Sequence, residues 1–219
     1  MFAIGHFALG YIFGKGTSKL AKVALNLPLL LATSVLPDVD LLFRFLTHRG
    51  PTHSIITISI LMIPFFIIYR KQALPYFAAM LTHILIGDFF TGGVMLFWPL
   101  SHDLFGALNF EVTSLSIEVV ELVLFLLVVP VMYKMGDLQT LLKPHNKNWV
   151  LIIPLGSVIG PLISLGRGQE GSLPTLLVVP SLLCIVIFAY SIFIWLRAGI
   201  NQNKRTYRLE CGGLRIDNN

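Results

Sequence analysis

The sequence predicts an all-α fold: a polytopic transmembrane helical bundle of about five to seven membrane segments. Three observations carry that expectation. Of 219 residues, 55% are hydrophobic and only 12% charged, with a mean hydropathy of +0.80. A soluble domain carries roughly 25% charged residues. Apolar runs recur along almost the whole chain, and lysines and arginines gather in alternate connections between them, as they do in membrane proteins.

Seven apolar segments follow in order, at about residues 2–14, 23–37, 54–69, 73–90, 113–133, 149–166 and 173–197. The first runs into Lys15, Lys19 and Lys22. No basic leader precedes it, so it is expected to be kept rather than cleaved, with His6 inside it. The second ends at Pro37. Both fall short of the roughly 20 residues a spanning helix takes, so they are expected to be tilted or only partly inserted. Arg70 and Lys71 part the third from the fourth, and the fifth carries Glu118 and Glu121 near its start. The last is the most secure, because Leu173 to Leu196 is free of charge. Prolines at 64, 75, 130, 154, 161 and 180 are tolerated in membrane bundles, where neighbours satisfy the backbone groups they free. Residues 1–197 read as one transmembrane helical domain, and 198–219 as a polar, basic, loosely ordered cytoplasmic tail.

Orientation follows from charge. One set of connections, with the tail, holds thirteen of the sixteen lysines and arginines; the other holds only Arg44, Arg49 and Arg167. The C-terminus is therefore expected in the cytoplasm, in a multi-pass protein of the plasma (inner) membrane. Those loops account for the net charge of +5, and no basic run interleaved with aromatics points to nucleic acid. Cys184, in an apolar run, and Cys211, in the tail, imply neither a disulfide framework nor a thiolate metal site. The oligomeric state is left open.

Against this background, five of six histidines and four of eleven acids fall in the first 103 residues. The topology puts His6, Asp38, Asp40, His48, His53, His83 and Asp88 at one level, toward the outer face. Ionisable groups near a membrane are expensive, so several converging ones point to function. Imidazoles and carboxylates are also the ligand set for zinc, manganese or iron. Pro37 makes the backbone irregular, so Asp38 and Asp40 can converge on one cation from a turn; on a regular helix they diverge by about 200°. The turn at Gly50-Pro51 lets His48 and His53 close on one centre, with Thr52 as N-cap of the run starting at Ser54. Arg49 offers a guanidinium fork for phosphate or carboxylate.

His83 and Asp88 point about 140° apart on a straight helix. Gly87 permits a helix end or a π-bulge that brings Asp88 round; otherwise Asp88 orients a ligand histidine. Glu118 and Glu121 share a face and need a partner, either the metal site or Ser114 or Ser116. Trp98 reads as an interfacial anchor, and Ser101 and His102 line the pocket or face water. Blander readings stand beside these. His6 can be a satisfied core histidine, and the aspartate pair a helix cap with a solvated loop acid.

The series GHFALG, LPDVD, HRGPTHS and THILIGDFFTGG followed by FWPLS, over roughly residues 3–103, resembles the YdjM-like family of inner-membrane proteins. That family is described as LexA-regulated, membrane-bound, metal-dependent hydrolases. The resemblance implies ligation by His6, Asp38, Asp40, His48, His53, His83 and Asp88 of one to three divalent ions, zinc first, with manganese or iron as alternatives. The family's usual pattern leaves three residues between histidine and aspartate; here four separate His83 from Asp88. The motif order is also similar to the zinc-dependent phospholipase C group, which suggests phosphoester substrates by analogy.

These readings lead to a membrane-bound, metal-dependent hydrolase acting on a phosphoester or on a lipid or lipid-linked substrate at the outer interface. A bound metal would make hydroxide available near neutral pH and polarise the ester. Asp40, Asp88 or Glu118 is expected to act as general base where it does not ligate, with Arg49 holding a phosphate. Two rivals use the same residues: a divalent-cation transporter, and a non-catalytic membrane protein whose polar groups only hydrogen-bond. Transporters usually place such groups near mid-bilayer and often show repeats, and this chain does neither.

Overall fold

The computed structural model describes residues 1–43, 45–107, 111, 113–164 and 173–212, with side chains through residue 201. Arg44, Arg167 and Arg215 lie outside the described residues. The described residues are mostly helical, with no strand among them beyond the isolated bridge Val94–Phe105. The helices are α1 (Ala3–Ala21), α2 (Leu27–Ser34), α3 (Ile55–Tyr69), α4 (Leu74–Thr82), α5 (Leu115–Lys134), α6 (Asp137–Leu141), α7 (Ile152–Ser164) and α8 (Thr175–Gly212). Their starts follow local chemistry. The Asn26 side chain accepts from the Leu29 N–H at 3.0 Å to open α2, and Pro28 sits in its first turn. Ser54 does the same for α3, accepting from Ile56 and Thr57.

Helix α1 is the spine. It packs against α2, α4, α5, α7 and α8, burying Ile4, Phe7, Ala8 and Tyr11 in one cluster with Leu30, Leu31, Ala79 and Phe188. A side chain at Gly10 would strike Ser34, so glycine there lets α1 and α2 approach closely. This explains why the first two apolar segments are short: they are enclosed by protein, and their apolar surface has other helices to bury against.

Among the described residues, three apolar helical stretches are long enough to cross a membrane, at Ile55–Asp88, Leu115–Lys134 and Thr175–Asn201. The first doubles back at Arg70–Ala73, where Arg70 adopts φ +51°. Phe66 packs on Phe77 and His53 meets His83, so α3 and α4 run antiparallel. Helix α8 continues to Gly212, so the backbone after Arg197, expected to be loosely ordered, is helical that far. No proline interrupts that stretch.

Candidate metal centre

Four pieces of chain meet near the N-terminal end of α1: its own first turns, the 3-10 helix Leu36–Leu42, the turn 48–53, and the π-helical segment His83–Asp88 that ends α4. A 3-10 helix has three residues per turn, so side chains two apart point about 120° from each other. Asp38 and Asp40 accordingly straddle the His53 ring instead of converging on one cation. Asp38 Oδ1 lies 3.5 Å from His53 Nε2, and Asp40 Oδ2 lies 3.2 Å from Nδ1.

The π segment settles the awkward spacing of His83 and Asp88. The Phe89 N–H donates to the Ile84 carbonyl at 3.0 Å, closing residue i on i+5. The extra residue is absorbed there, and His83 Nε2 comes within 3.4 Å of Asp88 Oδ2. Gly87 matters in the same turn, because a Cβ would run into the His6 ring. His6 instead stacks on His83, with ring centroids 3.6 Å apart and planes 15° apart. Its Nε2 lies 3.2 Å from the Met1 carbonyl and 3.7 Å from Asp88 Oδ1, and its buried Nδ1 has no hydrogen-bond partner.

The turn 48–53 is tied down through Asp40. Arg49 sits at φ +62°, which is uncommon for a residue with a side chain. Its N–H donates to Asp40 Oδ2 at 3.1 Å, and its carbonyl accepts from Met95 at 2.9 Å. Thr52, expected as the helix cap, instead donates to Asp40 Oδ2 at 2.9 Å, because Ser54 already caps α3. His48 Nδ1 lies 3.1 Å from Asp40 Oδ1. His48 and His53 thus close on a carboxylate. The Arg49 guanidinium donates to the Thr91 carbonyl, and its Nη2 lies 3.3 Å from Thr91 Oγ1 and 3.5 Å from Asp88 Oδ1. The fork expected for phosphate is engaged by protein oxygens in this arrangement.

Two compact groups among the described residues could hold a metal ion: Asp38, His53, His83 and Asp88, which is the more buried, and Asp40, His48 and His53, which shares His53 with it. His83 Nδ1–H donates to the Ser34 carbonyl at 2.7 Å, and His53 Nδ1–H faces Asp40 and Thr52. Those acceptors assign the tautomers, leaving a lone pair on each Nε2. The two Nε2 atoms face each other at 3.2 Å, and Asp88 Oδ2 is buried without a hydrogen bond. With both rings neutral, those lone pairs repel unless a cation, either a proton or a metal ion, sits among them. The spacing fits one. The His53–Asp88, His53–His83, His83–Asp38, His83–Asp88 and His53–Asp38 separations are 3.1, 3.2, 3.4, 3.4 and 3.5 Å. Tetrahedral bonds of about 2.0–2.1 Å place donors about 3.3–3.4 Å apart.

The electrostatics agree. Burial opposes charge on His53, yet Asp38, Asp40 and Asp88 outweigh it and raise its proton affinity well above the ordinary value. Burial likewise opposes ionisation of Asp40, but His48 and His53 hold its carboxyl well below the usual range. This is a place that draws positive charge, whether a proton or a metal ion.

Other residues fall outside the group. Glu118 is half-buried, and its side chain forms no hydrogen bond or ion pair among the described residues. Glu121 is fully buried, and it meets the backbone of α1 instead of Ser114 or Ser116. It accepts from the Phe2 and Gly5 N–H groups at 2.8 and 3.1 Å, closing the N-terminus of α1. His102 is exposed, and Ser101 bonds Asp103. Thr91, Ser34 and the Met1 ammonium, which lies 2.9 Å from Asp88 Oδ1, were not evident as participants. Ser34 acts through its carbonyl, which leaves no trace in residue identity, whereas Thr91 stands one helical turn beyond Asp88.

The chain matches the family described as YdjM inner membrane protein over residues 1–191, which takes in the whole cluster and extends through α7 into α8. Among curated proteins and among solved structures, none matches the chain.

Proposed function

The chain belongs to the YdjM inner membrane protein family, and on that premise we propose that it is a multi-pass membrane hydrolase. In this reading it uses a divalent metal, zinc first, to cleave a phosphoester of a lipid or lipid-linked substrate at the outer membrane interface. The observation that supports it most is the set of four convergent donors, five of whose six separations lie between 3.1 and 3.5 Å. Asp38, His53, His83 and Asp88 would hold the ion. When bound, it would supply a Lewis acid and a water acidic enough to give hydroxide near neutral pH.

The protein's own groups do the rest. Asp38 and His48, whose side chains are 17% and 42% exposed, form the open side where substrate enters, while His53 is sealed. His48 is bonded through Nδ1 alone, leaving Nε2 to move a proton at that mouth. Arg49 offsets the charge of Asp88 from beside it. The N-terminal end of α1 bears the site, and its other end leads to Lys15, Lys19 and Lys22. The positive-inside rule then favours the outer face for the site, with α1 and α2 packed inside the bundle.

The test is hydrolysis by the full-length protein in detergent, loaded with zinc or manganese, against soluble phosphodiesters and against phospholipid vesicles. Metal-dependent cleavage lost in His53→Ala is the expected result. Absence of cleavage with either metal, or cleavage indifferent to His53→Ala, overturns the reading.

A further inference from the structure

We infer that Asp40 is a positioning residue and not a metal ligand, so that the centre takes one divalent ion, held by Asp38, His53, His83 and Asp88. This rests on the metal-centre reading above and divides the seven candidate ligands into those that have donor capacity left and those that do not. Asp40 has little. Its Oδ2 accepts from the Arg49 N–H at 3.1 Å and from Thr52 at 2.9 Å, which fills both lone pairs of that oxygen, with His53 Nδ1 at 3.2 Å. An ion at Oδ2 would have to displace a backbone N–H and a hydroxyl that fix the turn. Its Oδ1 faces His48 Nδ1 at 3.1 Å, so an ion shared by Asp40, His48 and His53 would have to take the place of that contact.

The other two aspartates differ. Asp38 accepts no hydrogen bond from a backbone group or hydroxyl among the described residues, and its Oδ1 faces only the two Nε2 atoms. Asp88 is anchored through Oδ1 and leaves Oδ2 bare. Asp40 works on the far side of His53. By receiving Nδ1–H it fixes the tautomer and ring direction, and raises the basicity of Nε2, as a carboxylate behind a metal-bound histidine does. The Ser34 carbonyl does this for His83 at 2.7 Å. His48, sharing Asp40 from the solvent side, belongs to this support.

Cobalt(II) is the probe, titrated into the metal-free full-length protein in detergent, with chelator competition for affinity and the visible d–d bands for geometry. Wild type is expected to take one ion per chain with a tetrahedral spectrum. Asp40→Asn is expected to keep that stoichiometry, lose about tenfold to hundredfold in affinity, and shift the bands. Asp38→Ala is expected to lose the ion. A merely structural role for Asp40 would not move the bands of a folded variant. If Asp40→Asn fails to fold, Thr52→Val removes one hydroxyl donor to the same oxygen, and a smaller shift in the same direction is expected. Two ions in wild type with one lost in Asp40→Asn, or a folded variant (Thr52→Val, if Asp40→Asn does not fold) indistinguishable from wild type, overturns the inference alone. A wild type that takes no ion overturns the hydrolase reading with it.

Discussion

Helix α1 carries two ionisable clusters into a largely apolar bundle, and they are balanced in opposite ways. Toward its C-terminal half, Asp137 accepts from Tyr11 at 2.6 Å and from the Lys15 ammonium at 2.8 Å. Acid, base and phenol complete one another. Near its N-terminus, about 14 Å away along the helix, His6 stacks on a group in which two carboxylates and two imidazoles point lone pairs at a common centre. Both are costly to bury. The first neutralises itself and acts as a fastener between α1 and α6. The second keeps surplus acceptors and suits a guest. Buried polar groups alone do not mark a function; an unbalanced set of them does.

The largest expected effect tests that imbalance directly. A saturating divalent ion at a hundred times its dissociation constant stabilises a protein by about 2.7 kcal/mol. Thermal unfolding in detergent, with and without zinc, is expected to show such a shift in wild type and none in Asp38→Ala. Metal-free Asp38→Ala is expected to be less stable than metal-free wild type, because burial opposes ionisation of Asp38 but His83 and His53 outweigh it and hold its carboxyl well below the usual range. A zinc shift that survives in Asp38→Ala places the ion elsewhere.

Next comes Gly87→Ala, which touches the same end through packing. The added methyl meets the His6 ring, which is stacked on His83, so both stability and zinc response are expected to fall. The cost is about 1–3 kcal/mol, as for other overpacked sites. A loss of stability with an unchanged zinc shift would show that His6 has no part in holding His83 in place.

At the self-balanced end the two readouts should separate. Lys15→Met strands Asp137, and with both side chains partly exposed (19% and 14%) the cost is expected to be about 1–2 kcal/mol. The zinc shift is expected to be unchanged. Adding Asp137→Asn to Lys15→Met should recover part of the loss. A changed zinc shift would mean that the two ends of α1 are coupled.

Much of this contrast was legible in the sequence. Helical class, apolar segmentation and the roster of histidines and aspartates came from composition, hydropathy and spacing. What they could not carry was direction. Asp38 and Asp40 are near-neighbours of one chemical type, and only the 3-10 turn sends one to each side of His53. The one-residue excess between His83 and Asp88 looked like an obstacle, and Gly87 hinted at the π turn that resolves it. Glu118 and Glu121 were equivalent by pattern, whereas the backbone of α1 meets only the second. Enclosure of α1 and α2 by later helices was invisible to a count of apolar length.

Glu121→Gln gives the smallest effect and separates support from site. The amide keeps one acceptor and the shape of the side chain, but its NH2 then faces a backbone N–H at the start of α1. One hydrogen bond and a favourable charge at a helix N-terminus are lost, partly offset by no longer burying a carboxylate. A net cost of about 1 kcal/mol in thermal or chemical unfolding is expected, with the zinc shift preserved. The reason is distance in role: Glu121 fixes the first turn of α1, and through it the height of His6, while the four donors are fixed by Ser34, Asp40 and the π turn. Loss of the zinc shift in a folded Glu121→Gln would mean that this carboxylate is part of the cation's environment, and the boundary between fastener and receptacle would have to move to include α5.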